Sequence, residues 1–212
     1  MEMHERMLDM TSRLAAALLA TAVFATCTPA SDAQAPAAAP KRLATKDGPR
    51  EVAILGAGCF WGVEHWLMKV DGVVDIDVGY TGGKSAKASY EQVSEGGTGH
   101  AEAVRIVFDP SVTSYEDLLV RFYKIHDPTT KDRQGNDRGT QYRSAIFPTT
   151  DAQRKTAEAV TARVQKSGAW KAPITTTIEA PTHWIKAEEY HQDYLVKHPG
   201  GYDNHYLRDL RF

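Results

Sequence analysis

One cysteine stands where an apolar run gives way to a helical pattern, in Gly56-Ala57-Gly58-Cys59-Phe60-Trp61-Gly62-Val63-Glu64. Val52 to Leu55 ahead of it is apolar and largely branched, the composition of a buried strand. Behind it, Val63, Trp66, Leu67 and Val70 recur at helical spacing. The thiol therefore falls near a helix N-terminus, where unpaired amides and the helix dipole favour the thiolate, its nucleophilic form. Glycines on both sides permit a tight turn and close approach of a substrate, while Phe60 and Trp61 offer apolar walls. The other cysteine, Cys27, lies in an N-terminal leader. Cys59 is thus expected to be neither a disulfide staple nor part of a cysteine-based zinc site.

Three further stretches are more polar or aromatic than connections need. Thr98-Gly99-His100-Ala101-Glu102 opens the apolar run Ala103 to Phe108, and on a strand His100 and Glu102 project to the same side. Arg133-Gln134-Gly135-Asn136-Asp137-Arg138-Gly139-Thr140-Gln141-Tyr142 carries two glycines and leads into another strand, and Tyr90 lies in a long glycine-rich stretch. Each has a plain reading. Glu102 suits a solvated edge charge, Asp137 a turn that caps its own backbone, and Tyr90 and Tyr142 half-buried packing.

Cys59 with His100 as base would describe a thiol hydrolase or acyltransferase. His100 and Glu102 as metal ligands lack a closing partner at ligand spacing, so no metal is expected and His100 is read as orienting a loop. Gly56-Ala57-Gly58 does not fit a dinucleotide turn: the third glycine comes at Gly62, and Cys-Phe-Trp fills the space a pyrophosphate needs. The aromatic stretch Tyr190 to Tyr206, with Trp184, reads as core and C-terminal packing, with Tyr194 or Tyr202 nearest to reaching a site.

The elements that must position these groups alternate. The pattern predicts strand 51–56, helix 60–70, strand 73–79, a glycine-rich loop 79–99 and strand 101–108. Helix 114–126, a polar loop 127–139, strand 141–147, helix 151–167, strand 174–180 and a last helix 186–197 follow. Ser114 and Thr150 are placed as helix caps, and Asp109-Pro110 and Phe147-Pro148 close strands. The fold class is α+β, a two-layer α/β sandwich with a mixed sheet covered by helices.

Residues 41–212 are read as one catalytic domain, long enough for a single core. Residues 1–40 read as a signal peptide and a flexible Ala/Pro tether: Arg13 precedes the apolar stretch Leu14 to Ala25, which is too short to span a bilayer. Export, to a periplasm, is expected. Cys27 suggests a lipid anchor as the alternative, although Phe24-Ala25-Thr26 matches the usual lipidation box poorly. A net charge of −2 supplies no basic excess for nucleic acid or an acidic membrane surface.

Four motifs occur in order: Gly58-Cys59-Phe60-Trp61-Gly62, Gly79-Tyr80-Thr81-Gly82-Gly83, Thr98-Gly99-His100-Ala101-Glu102, and Gly135-Asn136-Asp137 with Gly139-Thr140-Gln141-Tyr142. Together they resemble the A-type peptide-methionine sulfoxide reductases, from about Val52 to Tyr202. The resemblance implies a ferredoxin-like core and reduction of methionine-S-sulfoxide, free or in oxidised proteins, back to methionine. It places the attacking thiol at Cys59, the acid that protonates the oxygen at Glu102, and the oxygen-binding phenols at Tyr90 and Tyr142. It assigns the methyl pocket to Phe60 and Trp61, and the grip on the substrate backbone to Asp137. Many relatives carry a resolving cysteine near the C-terminus, where this chain has Asp203. The expectation is a one-cysteine cycle through a Cys59 sulfenic acid, with no bound cofactor. An external thiol, a thioredoxin-like protein or a small molecule, would serve as reductant. A monomer is expected.

Overall fold

The structure is a computed structural model and describes residues 48–212; the expected signal peptide and tether and the candidate lipid-anchor residue Cys27 lie outside the described residues. Strand β1 (Glu51–Ala57) leads through Gly58 and Cys59 into helix α1 (Phe60–Leu67), which ends three residues before the predicted limit. Strand β2 (Val73–Thr81) is followed by a short helix α2 (Tyr90–Ser94) inside the stretch expected to be loop. Ser89 caps it: its hydroxyl accepts from the Gln92 amide and the Gln92 side chain accepts from the Ser89 amide. That reciprocal box is visible in the sequence as Ser-x-x-Gln.

Strand β3 (Ala101–Phe108) and helix α3 (Tyr115–Ile125) fall as expected, with Ser114 capping α3 through Asp117. Two-residue strands β4 (Arg133–Gln134) and β5 (Asp137–Arg138) form a hairpin in the polar loop. The predicted strand 141–147 begins late: Thr140–Tyr142 is a single 3-10 turn, and only Ser144–Ile146 is strand β6. Helix α4 (Asp151–Ser167) is capped by Thr150 and stops at Gly168, whose φ of 68° suits glycine.

The predicted strand 174–180 shrinks to β7 (Thr177–Ile178). The predicted helix 186–197 is instead β8 (Ile185–Lys186), a 3-10 turn (Glu189–His191) and a four-residue helix α5 (Tyr194–Lys197). Two contacts oppose a continuous helix. The Gln192 side chain bonds Val78 N, Val78 O and Ala187 O, and Asp193 adopts φ 52°, outside the helical region.

The sheet order is β7-β6-β1-β3-β2-β8, with β6 and β7 parallel and every other pair antiparallel. Its inner part, β6-β1-β3-β2 with α1 after β1 and α3 after β3, is the ferredoxin-like arrangement. Strand alternation divides the apolar residues. Ala53, Leu55, Ala57, Val104 and Ile106 join the helices in the main core, while Ile54, Ala101, Ala103 and Phe147 form a smaller cluster on the other face. Glu102 shares the parity of Val104 and sits opposite Tyr80, so it faces the helices.

Candidate active site

Cys59 is the N-cap of α1 (φ −53°, ψ 119°), and Gly58 reaches it with φ 95°. A side chain at Gly58 would run into Gln134 of the hairpin, so that approach is open to glycine alone. Cys59 is 8% exposed and lines a cavity of about 110 Å³ together with Phe60, Trp61, Tyr90, Glu102, Asp137, Tyr142 and Tyr202. The seven residues to which the resemblance assigns a role therefore meet in one small space. Larger depressions, such as that of about 420 Å³ beside Val70, Lys124 and Arg208, are not lined by a cysteine.

The expectation of a resting thiolate is corrected. Burial pushes the Cys59 thiol well above the ordinary range, and negative charge on Glu102 or Asp137 pushes the same way. The amides of Trp61 and Gly62 face the sulfur and pull in the opposite direction without offsetting burial. The sulfur keeps its proton until something in the cavity takes it.

Glu102 is 2% exposed, and burial raises its pKa to about 8, with the charge of Asp137 adding to the effect. Its Oε2 accepts from the Phe60 amide at 3.0 Å, which draws the pKa only part of the way back. At neutral pH the group is a carboxylic acid held at the N-terminus of α1, not the solvated edge charge of the plain reading.

The phenols come from elements absent from the sequence reading. Tyr90 is the first residue of α2 and Tyr142 the last of the 3-10 turn. Burial raises both pKa values, and Glu102 adds to each, so both remain hydrogen-bond donors. Gln141 ties the two elements together, donating from Nε2 to Ser94 O at 2.9 Å.

Asp137 does not cap its own turn. Its Oδ1 accepts from Tyr202 Oη at 3.0 Å and its Oδ2 from Asn204 Nδ2 at 2.8 Å, which turns the carboxylate to the cavity mouth. Trp61 stacks on Tyr194 with ring centroids 3.7 Å apart, so Tyr194 supports the site from behind while Tyr202 lines it.

His100 stands elsewhere. Its ring packs against Gly83 and its Nε2 lies 3.1 Å from Ser85 O, so it orients the loop after β2 and does not line the cavity with Cys59. Asp203 is engaged: Oδ1 accepts from His205 N at 2.8 Å and Oδ2 from Trp66 Nε1 at 3.2 Å. Cys59 is the free cysteine of the described residues, and none of their His, Cys, Asp and Glu side chains cluster to hold a metal ion. No helix among the described residues is long and apolar enough to cross a membrane.

Sequence reasoning missed Gln141, Asn204, Glu188 and His191. A capping signal was available for α2, but nothing local marks the others, whose partners lie 47 or more residues away in the chain.

Comparison with known proteins agrees with this geometry. The family model described as peptide methionine sulfoxide reductase matches residues 51–211. The peptide methionine sulfoxide reductase MsrA of Mycolicibacterium paratuberculosis is 51% identical over 156 residues, covering 74% of this chain and 89% of that one. Among solved structures, reduced Mxr1 from Saccharomyces cerevisiae aligns with TM-score 0.72 at 40% identity, over 76% of this chain and 93% of its own. Mxr1 in complex with Trx2 aligns with TM-score 0.54 at 28% identity, over 80% of this chain and 97% of its own.

Proposed function

This chain belongs to the peptide methionine sulfoxide reductase family, an oxidoreductase that reduces methionine sulfoxide in protein repair, and we propose that it works on the S epimer through Cys59 alone. The observation that carries the proposal is a buried carboxyl group, Glu102, whose burial favours the neutral acid, sharing a small cavity with the thiol.

The terminal methyl of the substrate rests against Phe60 and Trp61, and its backbone N–H groups meet Asp137. The sulfoxide oxygen lies among Glu102, Tyr90 and Tyr142. Sulfoxide oxygen leaves poorly until protonated. As Sγ of Cys59 bonds to the substrate sulfur, Glu102 passes its proton to the oxygen and takes up the thiol proton in return. The two phenols donate to the oxygen as negative charge develops there. The hydroxyl then passes from the substrate sulfur to Sγ as the sulfur–sulfur bond breaks, leaving methionine and a Cys59 sulfenic acid. One thiol and one sulfoxide have become one sulfenic acid and one thioether.

Return to the thiol requires two electrons from outside. A first external thiol attacks the sulfenic sulfur, releasing water and forming a mixed disulfide; a second attacks that disulfide and frees Cys59. Asp203 at the resolving position supports this route, and the structure of Mxr1 with Trx2 supports a thioredoxin-like donor. The leader read in the sequence supports export and work on oxidised proteins outside the cytoplasm.

The test is turnover of separated S and R sulfoxide epimers with dithiothreitol as reductant. Multiple turnovers of the S epimer alone are expected. A thiol hydrolase based on His100 predicts acylation by activated esters instead, and a redox sensor predicts no turnover.

A further inference from the structure

We propose that Arg143 is a positioning residue for this reaction: its guanidinium sets the turn that presents Tyr142 against the strand start that presents Glu102. The inference deepens the function just given and rests on it for its kinetic consequence alone.

Arg143 follows Tyr142 directly, and its side chain is 12% exposed. Nε donates to Glu179 Oε1 at 2.9 Å and Nη2 to Glu179 Oε2 at 3.0 Å, a two-pronged ion pair just beyond β7. Burial works against the Glu179 carboxylate, but bonds from Arg143 and Thr177 hold its pKa below the ordinary range. A planar fork meets a carboxylate in few orientations, so the ion pair fixes the plane of the guanidinium. Its other donors then reach two backbone carbonyls: Nη1 donates to Thr140 O at 2.9 Å and Nη2 to Gly99 O at 3.3 Å.

Those carbonyls belong to the elements that carry the oxygen-facing groups. Thr140 opens the 3-10 turn that ends on Tyr142. Gly99, with φ 78°, lies three residues before Glu102 and turns the chain into β3. The chain leaving β2 passes so close that a side chain at Gly82 would meet Arg143 Nη2 at 2.6 Å, a reason for glycine at that place in the second motif. Gln141 joins the same turn to α2, which begins with Tyr90, and Arg143 joins it to β3. A side chain that served only to fasten β7 would need Glu179 and nothing more. Glu102 and Tyr142 must meet one oxygen atom together, so their separation is what this arginine sets. A misplacement of about 1 Å can cost up to about 10²-fold in rate.

The test is a double-mutant cycle on the sulfoxide step, read as methionine formed in a single turnover without added reductant. R143K keeps the charge but gives up the fork. It should slow the step roughly tenfold or more, while the half-saturating concentration of a sulfoxide peptide changes less than about twofold. In a Y142F background, where the phenol is already gone, R143K should cost less than about threefold. E179Q leaves the arginine in place without its ionic anchor; it should slow the step less than R143K, with the same dependence on Tyr142, and decides the matter if R143K does not fold. Equal losses with and without the phenol, or an R143K and an E179Q as fast as wild type, refute the assignment. In substrate-free protein the ring resonances of Tyr142 should shift in R143K while the Trp61 indole resonance stays put; an unmoved Tyr142 ring overturns the proposal, whatever the activity. A wild-type protein that reduces no sulfoxide, with the Tyr142 ring shifted in R143K, would instead sink the functional reading.

Discussion

Glu102→Gln separates catalysis from stability in opposite directions. The change keeps the volume of the side chain and leaves an amide oxygen able to accept from the Phe60 amide, which Glu102 now binds at 3.0 Å. What it removes is the transferable proton. Loss of a positioned general acid costs on the order of 10²–10⁴ in rate, about 3–5 kcal/mol of transition-state stabilisation.

Stability should move the other way. Burial raises the folded-state pKa of Glu102 to about 8 from 4.5, so the folded state holds a proton that the unfolded state gives up at lower pH. A raised pKa contributes stability in full below about 4.5, and that contribution is lost as pH rises through about 8. At pH 7 the shift has removed up to about 3 kcal/mol, taken at 1.36 kcal/mol per pH unit. Glutamine carries no such penalty. E102Q should therefore melt several °C above wild type at neutral pH, with the difference vanishing near pH 4.

The pH–rate profile supplies the third arm. Wild-type activity should decline as pH rises through about 8, where the acid loses its proton, and the residual activity of E102Q should lack that limb. Steady-state rates across pH and paired thermal melts suffice. An E102Q within tenfold of wild type, or one less stable at neutral pH, would refute the reasoning.

Asp137→Asn should raise KM for peptide sulfoxides several-fold and shift the falling limb of the pH profile to lower pH, because the charge of Asp137 helps raise the Glu102 pKa; the two are read from one set of kinetics. Asp203→Ala strips the His205 and Trp66 bonds and should cost about 1–3 kcal/mol in denaturant unfolding, while a single turnover without reductant proceeds as before. Ser89→Ala removes the cap of α2 and should cost about 1 kcal/mol, with kcat falling more than KM rises because Tyr90 begins that helix.

The groups that do chemistry were more legible in the sequence than the elements holding them. Cys59 and Glu102 sit at a strand–helix junction and a strand start, which local periodicity places, while the role of Glu102 as the acid was implied by the family resemblance. The layering of a sheet under helices followed from the same alternation, since β1, β2 and β3 each pack one face on the helices, while the ferredoxin-like core was implied by the family resemblance. The segment 186–197 misled because its apolar spacing suits a helix, whereas Gln192 makes the bonds of a sheet edge and Asp193 turns left-handed. The ionisation of Cys59 was misjudged for a related reason. The amides at the helix N-terminus are readable from sequence, but the burial that outweighs them depends on residues from across the whole chain. His191 and Asn204 stayed invisible because their partners, Trp61 and Asp137, lie 130 and 67 residues away.

The account turns on oxygen passing from the substrate to Cys59. The direct measurement is mass spectrometry of the protein after one turnover on a sulfoxide peptide labelled with heavy oxygen, with no reductant present. One labelled oxygen on Cys59, in step with the methionine formed, is the predicted result. Methionine formed with an unmodified Cys59, or turnover that depends on a disulfide between Cys27 and Cys59, would contradict it.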